Sequence, residues 1–310
     1  VLSQGDWYKI GVTEDGLYKL DYTFLAGLGL DMTLINPSNI RIFGNQAGMI
    51  EEGSNEIDDL LELSIYVSGE EDGVFQNDEY VLFFGQSPHT WSYNGEKFVH
   101  TTNIYSDTTY YYLNLDTGQG KRLAISSSFS QSVPLILDSI VNSYDTHFFY
   151  ENDITNLVNT GRQWFGESFA FDNNQTFETP IASWNNGPVL LTANMASRSS
   201  TISTFSISID GINITNVNMP STSSLSNDYY KTENTEILFD LLNFNSTKIS
   251  FDYNNNGNSS ALAWLDYFTL QGRASMYLDD VVGQFLCRDT RSVGENYQKQ
   301  FVVNVNNNLG

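Results

Sequence analysis

Apolar and polar residues alternate along this chain in short runs, without the three-and-four spacing of helices. Tyr, Phe, Ile, Val and Thr gather in stretches of a few residues that Gly, Asn and Asp interrupt, which is the pattern of strands joined by turns. Strands are predicted at Trp7–Val12, Leu17–Leu20, Ile40–Phe43, Leu61–Val67, Tyr80–Phe84 and Thr109–Leu115. Asp15-Gly16, between the first two, predicts a hairpin. A short helix is expected at about Phe24–Gly29, stopped by glycine.

The texture changes in the stretch 125–150. Alternation weakens, Asp138–Asn142 reads as a brief helix, and beyond it charges thin out while Asn, Ser and Thr become abundant. Strands are then predicted at Trp164–Phe171, Val189–Ala196, Thr204–Ile209, Ile212–Val217, Glu236–Leu241, Lys248–Asp252 and Leu262–Leu270. Asp210-Gly211 between two isoleucine-rich runs is a second hairpin signal. Repeated strands with polar turns and few short helices predict a mainly all-β chain of two β domains. The first would cover 1–130. The second, 140–275, would be a jelly-roll-like β-sandwich. Residues 276–310 read as the start of a further β segment, with strands near Phe285–Cys287 and Phe301–Val305, cut short at its end.

Composition narrows the function classes. Of 310 residues, 40% are hydrophobic and 14% aromatic, enough apolar material for a folded core in each domain. The formal net charge is −23, with 14 Lys and Arg against 37 Asp and Glu. Phosphate backbones bind through Lys and Arg that displace counterions. Nucleic acid and an anionic membrane surface are therefore not expected partners. No run of apolar residues is long enough to cross a bilayer as a helix. The chain begins with Val1, which fits export behind a cleaved signal peptide.

Candidate chemistry is sparse. His89, His100 and His147 stand at no metal-ligand spacing. The single cysteine, Cys287, reads as a core-facing thiol on a strand. The acidic run Glu70–Glu79 places oxygen ligands around Gly73. The order of ligands is not that of an EF-hand, so the run reads as a solvated turn and no cofactor is expected, calcium near Asp72–Asp78 being the alternative. The tryptophans, Trp164 and Trp184 in particular, are the residues that would stack on sugar rings if exposed.

Several stretches, weak singly, form an ordered set. Gly5-Asp6-Trp7-Tyr8-Lys9-Ile10 and Gly16-Leu17-Tyr18-Lys19-Leu20 come first, followed by Arg41-Ile42-Phe43-Gly44-Asn45. Asp72-Gly73-Val74-Phe75, Asp78-Glu79-Tyr80-Val81-Leu82-Phe83-Phe84-Gly85, Asn103-Ile104-Tyr105-Ser106-Asp107 and Tyr110-Tyr111-Tyr112-Leu113 continue the series. Phe149-Tyr150-Glu151, Gly161-Arg162-Gln163-Trp164-Phe165-Gly166-Glu167 and Trp264-Leu265-Asp266-Tyr267-Phe268 complete it. In this order they resemble the leading part of the type IX secretion sortases, which are gingipain-type cysteine peptidases.

The resemblance implies a cell-surface protein on the extracellular side of the bacterial outer membrane. Such a sortase removes C-terminal signals from exported cargo and attaches the cargo to anionic lipopolysaccharide. It further implies that the peptidase domain lies beyond this chain, so no catalytic residue is carried over. The chain would then be a scaffold that docks cargo proteins with C-terminal signal domains and an outer-membrane barrel partner of the PorV type. Arg162, Trp164 and Glu167 are the candidate binding patch, the structural alternative being an Arg–Glu pair beside a packed indole. The alternative function is a free-standing cell-surface carbohydrate-binding or adhesin sandwich.

Overall fold

The structure is a computed structural model. It describes residues 1–45, 47–49, 59–124, 137–159, 161, 163–179, 184–223, 228–242, 248–278, 284, 286–292 and 298–305. The chain divides into two compact units, Val1–Pro134 with Gln284–Leu286, and Leu135–Gly283 with Cys287–Gly310. Among the described residues the only α-helix is α1, Tyr22–Gly27, and strands carry the rest of the architecture.

The first unit contains β1 (Trp7–Val12), β2 (Gly16–Asp21), β3 (Arg41–Gly44), β4 (Leu61–Glu62), β5 (Tyr66–Val67), β6 (Tyr80–Gly85), β7 (Thr90–Tyr93), β8 (Phe98–Thr101) and β9 (Thr109–Asn114). They form one sheet of order β1-β9-β3-β4, a second of order β2-β6-β5, and the ribbon β7-β8. Alternation places Ile42, Leu113 and Tyr111 of the first sheet in one buried cluster with Leu20, Val81 and Phe83 of the second. The Phe83 and Tyr111 rings meet edge to face, 5.2 Å between centroids, a favoured aromatic geometry. Asp21 caps α1 by accepting from the Phe24 amide, and the helix buries Leu25.

Much of this unit is irregular chain, whose carbonyls need donors from elsewhere. Arginines supply them. Arg122 donates to the Pro37 and Ile40 carbonyls at 2.8 and 3.0 Å and pairs with Glu70 at 2.6 Å. Arg41 pairs with Glu62 at 2.7 Å and donates to Thr117.

The hairpin predicted at Asp15-Gly16 does not form. β1 pairs with β9 and β2 with β6, so the chain crosses from one sheet to the other at this dipeptide. Gly16 lies opposite Gly85 within a ladder, and Asp15 accepts from the Ser87 amide at 2.7 Å. Burial of apolar residues from two sheets in one core outweighs a turn preference that lacks a positive φ at Gly16.

The second unit contains β10 (Leu137–Val141), β11 (Ser143–Glu151), β12 (Asn174–Glu178), β13 (Gly187–Arg198), β14 (Ser203–Ile209), β15 (Ile212–Met219), β16 (Lys231–Leu241), β17 (Lys248–Asn254) and β18 (Leu262–Ser275). The short strands β19 (Tyr277–Leu278), β20 (Gln298–Phe301) and β21 (Asn304–Val305) follow. Two four-stranded sheets of order β11-β18-β13-β16 and β12-β17-β14-β15 face each other. Consecutive strands change sheet except where β14 turns into β15. This is the strand order of an eight-stranded jelly roll.

One buried cluster draws on both inner faces. At its centre the Phe268 ring lies 5.3 to 5.9 Å from those of Tyr150, Phe177, Phe251 and Phe148. The Asp210-Gly211 hairpin does form here, pairing Ile209 with Ile212 and holding both turn residues at positive φ.

Three further expectations are corrected. Residues 138–141 belong to a strand, because β10 pairs in parallel with β20. The stretch 164–171 makes isolated bridges at Phe165 and Ser168 in place of a continuous strand. Leu286 and Cys287 are irregular and exposed, so the thiol does not face a core; Phe285 lies outside the described residues. Arg273 holds that segment, bonding Asp289 at 2.6 Å while also pairing with Asp145 and donating to Ser143.

Candidate functional site

Strand direction brings four connections to one end of the sandwich: 152–173, 199–202, 220–230 and 255–261. Binding residues sit disproportionately on such loops. The first of them carries Arg162, Trp164 and Glu167.

Its course follows from the unequal lengths of two strands. β11 pairs with Tyr267–Ser275 of β18 and ends at Glu151, leaving the first residues of β18 open on that side. The returning chain fills the gap. Gly166 donates to the Leu265 carbonyl at 2.8 Å, the Leu265 amide to Glu167 at 3.0 Å, and Phe169 to Ala263 at 2.9 Å. Gly166 is required by this approach, since a Cβ there would stand 2.8 Å from the Asn152 carbonyl oxygen. Phe165 is fully buried against Ala196 and Trp264, with Leu157, Tyr230 and Leu262 packed around them. Ala196 and Trp264 are register partners that alternate with inward-facing Met195 and Leu265. This second small core therefore lies on the outer face of the sheet.

Polar side chains line the seam. Gln163 donates to Asp266 at 3.1 Å and accepts from the Tyr230 hydroxyl at 3.2 Å. Asp266 is the residue skipped where β13 and β18 shift register, Met195 facing Leu265 and Asn194 facing Tyr267. It is 7% exposed. Burial pushes its carboxyl up to about 6, with the charge of Asp153 acting in the same direction and Gln163 against it. Glu167 accepts from the Tyr150 hydroxyl at 2.5 Å and from Asn152 at 3.2 Å. Burial and this carboxylate push Tyr150 up to about 12. The other Glu167 oxygen is buried without a hydrogen-bond partner.

Of the residues singled out in the sequence, Glu167 thus belongs to the seam, and Trp164 is 41% exposed beside it. The indole is thus not packed in the way the structural alternative supposes. Arg162 lies outside the described residues. Gln163, Tyr150 and Asp266 complete the seam and were not singled out, although an Asp inside the apolar run Trp264–Phe268 is itself a signal.

A pocket of about 590 Å³ opens at the same end. Ser199, Ser200, Thr222, Asn258 and Ser260 line it, together with Arg198, Asp228 and Tyr229. Hydrogen bonds tie its loops together. Thr222 bonds the Ser199 carbonyl through its amide and hydroxyl at 2.7 and 3.0 Å. Asn258 donates to the Ser199 and Ser200 hydroxyls at 3.0 and 3.2 Å. The Arg198 guanidinium stacks on the Tyr229 ring at 4.3 Å, and Asp228 pairs with Lys231.

The remaining candidates lie apart. In the acidic run, Asp72 accepts from the Val74 amide and the Gln76 carboxamide, Glu79 from the Gln76 amide, and Glu70 pairs with Arg122. Among the described residues no three His, Cys, Asp or Glu converge as a metal site. His89 stands 3.7 Å from Asp107, and Trp91 packs on His100. Burial and Arg288 hold His147 down at about 4, so it is neutral near pH 7. The Cys287 Sγ lies 3.9 Å from the Met276 sulfur, and partial desolvation of this otherwise exposed residue, with the charge of Asp289, pushes its thiol up, the opposite of an activated thiolate. No helix of the described residues is long and apolar enough to cross a membrane.

The segment that follows Trp164 bonds Leu265 and bridges Trp264 near the start of β18, whereas Trp184 bridges Ala274 near its end. Ten residues of strand, roughly 30 Å, separate these places. The two indoles do not share one sugar-stacking surface.

No family model and no curated protein matches the chain. Among solved structures, the CBM36-1 domain of a multidomain xylanase from the hindgut metagenome of Trinervitermes trinervoides aligns with 41% of this chain and 97% of its own. It does so at 14% identity and a TM-score of 0.28, a likeness that carries no argument. The dimeric latent PorU of Porphyromonas gingivalis aligns with 89% of this chain at 22% identity and a TM-score of 0.70. The match takes in 25% of that chain, so this chain spans about a quarter of its length. Over most of its residues, this chain has the fold of a region of PorU.

Proposed function

We propose that this chain is the non-catalytic, N-terminal β portion of a PorU-type sortase of the type IX secretion system. In this role it holds the peptidase domain at the cell surface and docks exported cargo and an outer-membrane barrel partner. The observation that carries the proposal is the fold match over 89% of the chain.

The positions of the resembling stretches support it. Most of them are one another's pairing partners. Tyr8 and Ile10 lie opposite Leu113 and Tyr111, and Ile42 lies on the other side of Leu113. Gly16–Leu20 pairs with Val81–Gly85. Phe149–Glu151 lies against Tyr267–Thr269, and Gly166 and Glu167 bond Leu265. What the chain shares with the sortases is thus the frame of two β units, while the chemistry would be supplied by a domain outside these residues.

The test is made in the source bacterium. Native protein recovered from the cell surface should have a mass well above 34.9 kDa and yield peptides of a cysteine peptidase domain. Cells whose copy lacks residues 1–310 should accumulate cargo with its C-terminal signal uncleaved. Normal cargo cleavage in those cells, or a native mass equal to these residues alone, would overturn the reading.

A further inference from the structure

We propose that the pocket at the loop end of the sandwich binds a carboxylated sugar unit, with Arg198 taking the carboxylate. This site is independent of the sortase reading.

The pocket joins two chemistries. The first is a cation with free donors. The Arg198 side chain makes no ion pair and no hydrogen bond among the described residues, its one partner being the Tyr229 ring. A ring under a guanidinium orients the plane while leaving its N–H groups available, and that fork matches a carboxylate. In a chain of net charge −23, a cation beside a cavity is ordinarily claimed by a neighbouring acid. Here the acid in the pocket, Asp228, is paired with Lys231 instead.

The second chemistry is a wall of hydroxyls and a carboxamide, from Ser199, Ser200, Thr222, Ser260 and Asn258. Such groups both donate and accept, as polyol recognition demands. The cross-loop bonds made by Thr222 and Asn258 fix this wall before any ligand arrives, which lowers the ordering cost of binding. The volume of about 590 Å³ falls in the range of small-molecule sites.

Two alternatives fit less well. A phosphate monoester carries close to two negative charges near pH 7, more than one guanidinium balances in so acidic a chain, and a sulfate ester offers a tetrahedral group where the planar guanidinium fork matches a planar carboxylate. A purely apolar ligand would cover the Ser200 and Ser260 hydroxyls, which are exposed in the free chain, without replacing the hydrogen bonds they make to water.

The test uses the whole chain, labelled with nitrogen-15, titrated with glucuronic acid, glucose and acetate. Glucuronic acid should shift the amides of Ser199, Thr222, Tyr229 and Asn258 in a saturable way. Glucose and acetate should each bind about tenfold more weakly or worse, because each retains half of the recognition. Arg198→Gln, at an exposed position, should weaken glucuronic acid by about tenfold or more. Ser260→Glu should abolish binding by placing a like charge in the pocket. Lys248→Gln, at the opposite end of the sandwich, should leave affinity unchanged and so report an intact fold. The proposal is overturned by the absence of saturable shifts at these amides, by equal binding of glucose or acetate, or by full affinity in Arg198→Gln.

Discussion

The two units satisfy their backbones in different ways. In the second, ladders of up to eleven residue pairs join most amides and carbonyls within the sheets, and the side chains are left to fill the sandwich core and the small core outside it. In the first, strands of two to six residues leave long connections unpaired. Side chains then do what ladders do elsewhere, as when Arg122 serves the carbonyls of Pro37 and Ile40. The first unit is therefore exposed to single polar changes far from its core, and the second to core truncations and to defects in its ladder.

The largest effect that would sharpen this contrast is expected from Phe268→Ala. The ring meets four other aromatic rings at the centre of the sandwich, and its loss should cost the second unit about 3–5 kcal/mol. Hydrogen exchange followed by residue should show the loss throughout β11–β18 and none in β1–β9. Equal loss of protection in β1–β9 would break the comparison, since the two units would then be unfolding as one.

The next effect lies at the defect in the ladder. Asp266 is raised from 3.8 to about 6, so between those values the folded protein binds more protons than the unfolded chain. Stability contributed by the protonated group is complete below about pH 4 and is lost as pH rises through 6. Near pH 7 the buried charge costs up to about 3 kcal/mol. Asp266→Asn should accordingly raise stability at pH 7 by up to that amount and flatten the denaturation midpoint between pH 4 and pH 6. An unchanged pH profile would show that the seam does not bury the carboxyl.

A smaller loss is expected from Arg122→Ala. It removes the donors to two carbonyls and the partner of Glu70, at about 2 kcal/mol to the first unit. Arg122→Lys should recover only part of this, because one ammonium cannot reproduce the planar fork. Denaturant titration reading the Trp7 and Trp91 environments would separate the variants. A neutral Arg122→Ala would mean that water replaces the guanidinium at no cost.

The same contrast governs how much was legible in the sequence. The sandwich strands announced themselves because inward positions such as Phe205, Ile207 and Ile209 alternate with Thr204, Ser206 and Ser208. β18 was read only as far as Leu270, because its continuation as Gln271, Gly272 and Arg273 loses the apolar alternation while still pairing with β11. β10 was read as a helix because its partner β20 lies over 150 residues away, beyond any local pattern. At the seam, family resemblance pointed to Trp164 and Glu167, but not to the register shift that buries Asp266. The pocket left no mark at all. Its Ser, Thr and Asn residues look like ordinary turn chemistry, and Arg198, Tyr229 and Asn258 meet only once the strands have brought three loops together.

The two Asp-Gly dipeptides set local preference against long-range pairing most directly, and they predict the smallest effects. At Asp210-Gly211 both residues have positive φ, and a Cβ on Gly211 would meet nothing within 4 Å. Gly211→Ala should therefore cost about 1 kcal/mol from backbone conformation alone, without a steric clash. Gly16 has no positive φ, and a Cβ there would stand 2.8 Å from the Gln284 side-chain nitrogen. That amide is the far end of a flexible side chain and can shift, so Gly16→Ala should cost less than Gly211→Ala. Paired thermal denaturation of the two variants decides the matter. The reverse order would mean that the Gln284 bonds to the Leu17 amide and carbonyl matter more to the first unit than a strained turn does to the second. Long-range contacts would then outweigh local geometry even at a position whose sequence reads as a turn.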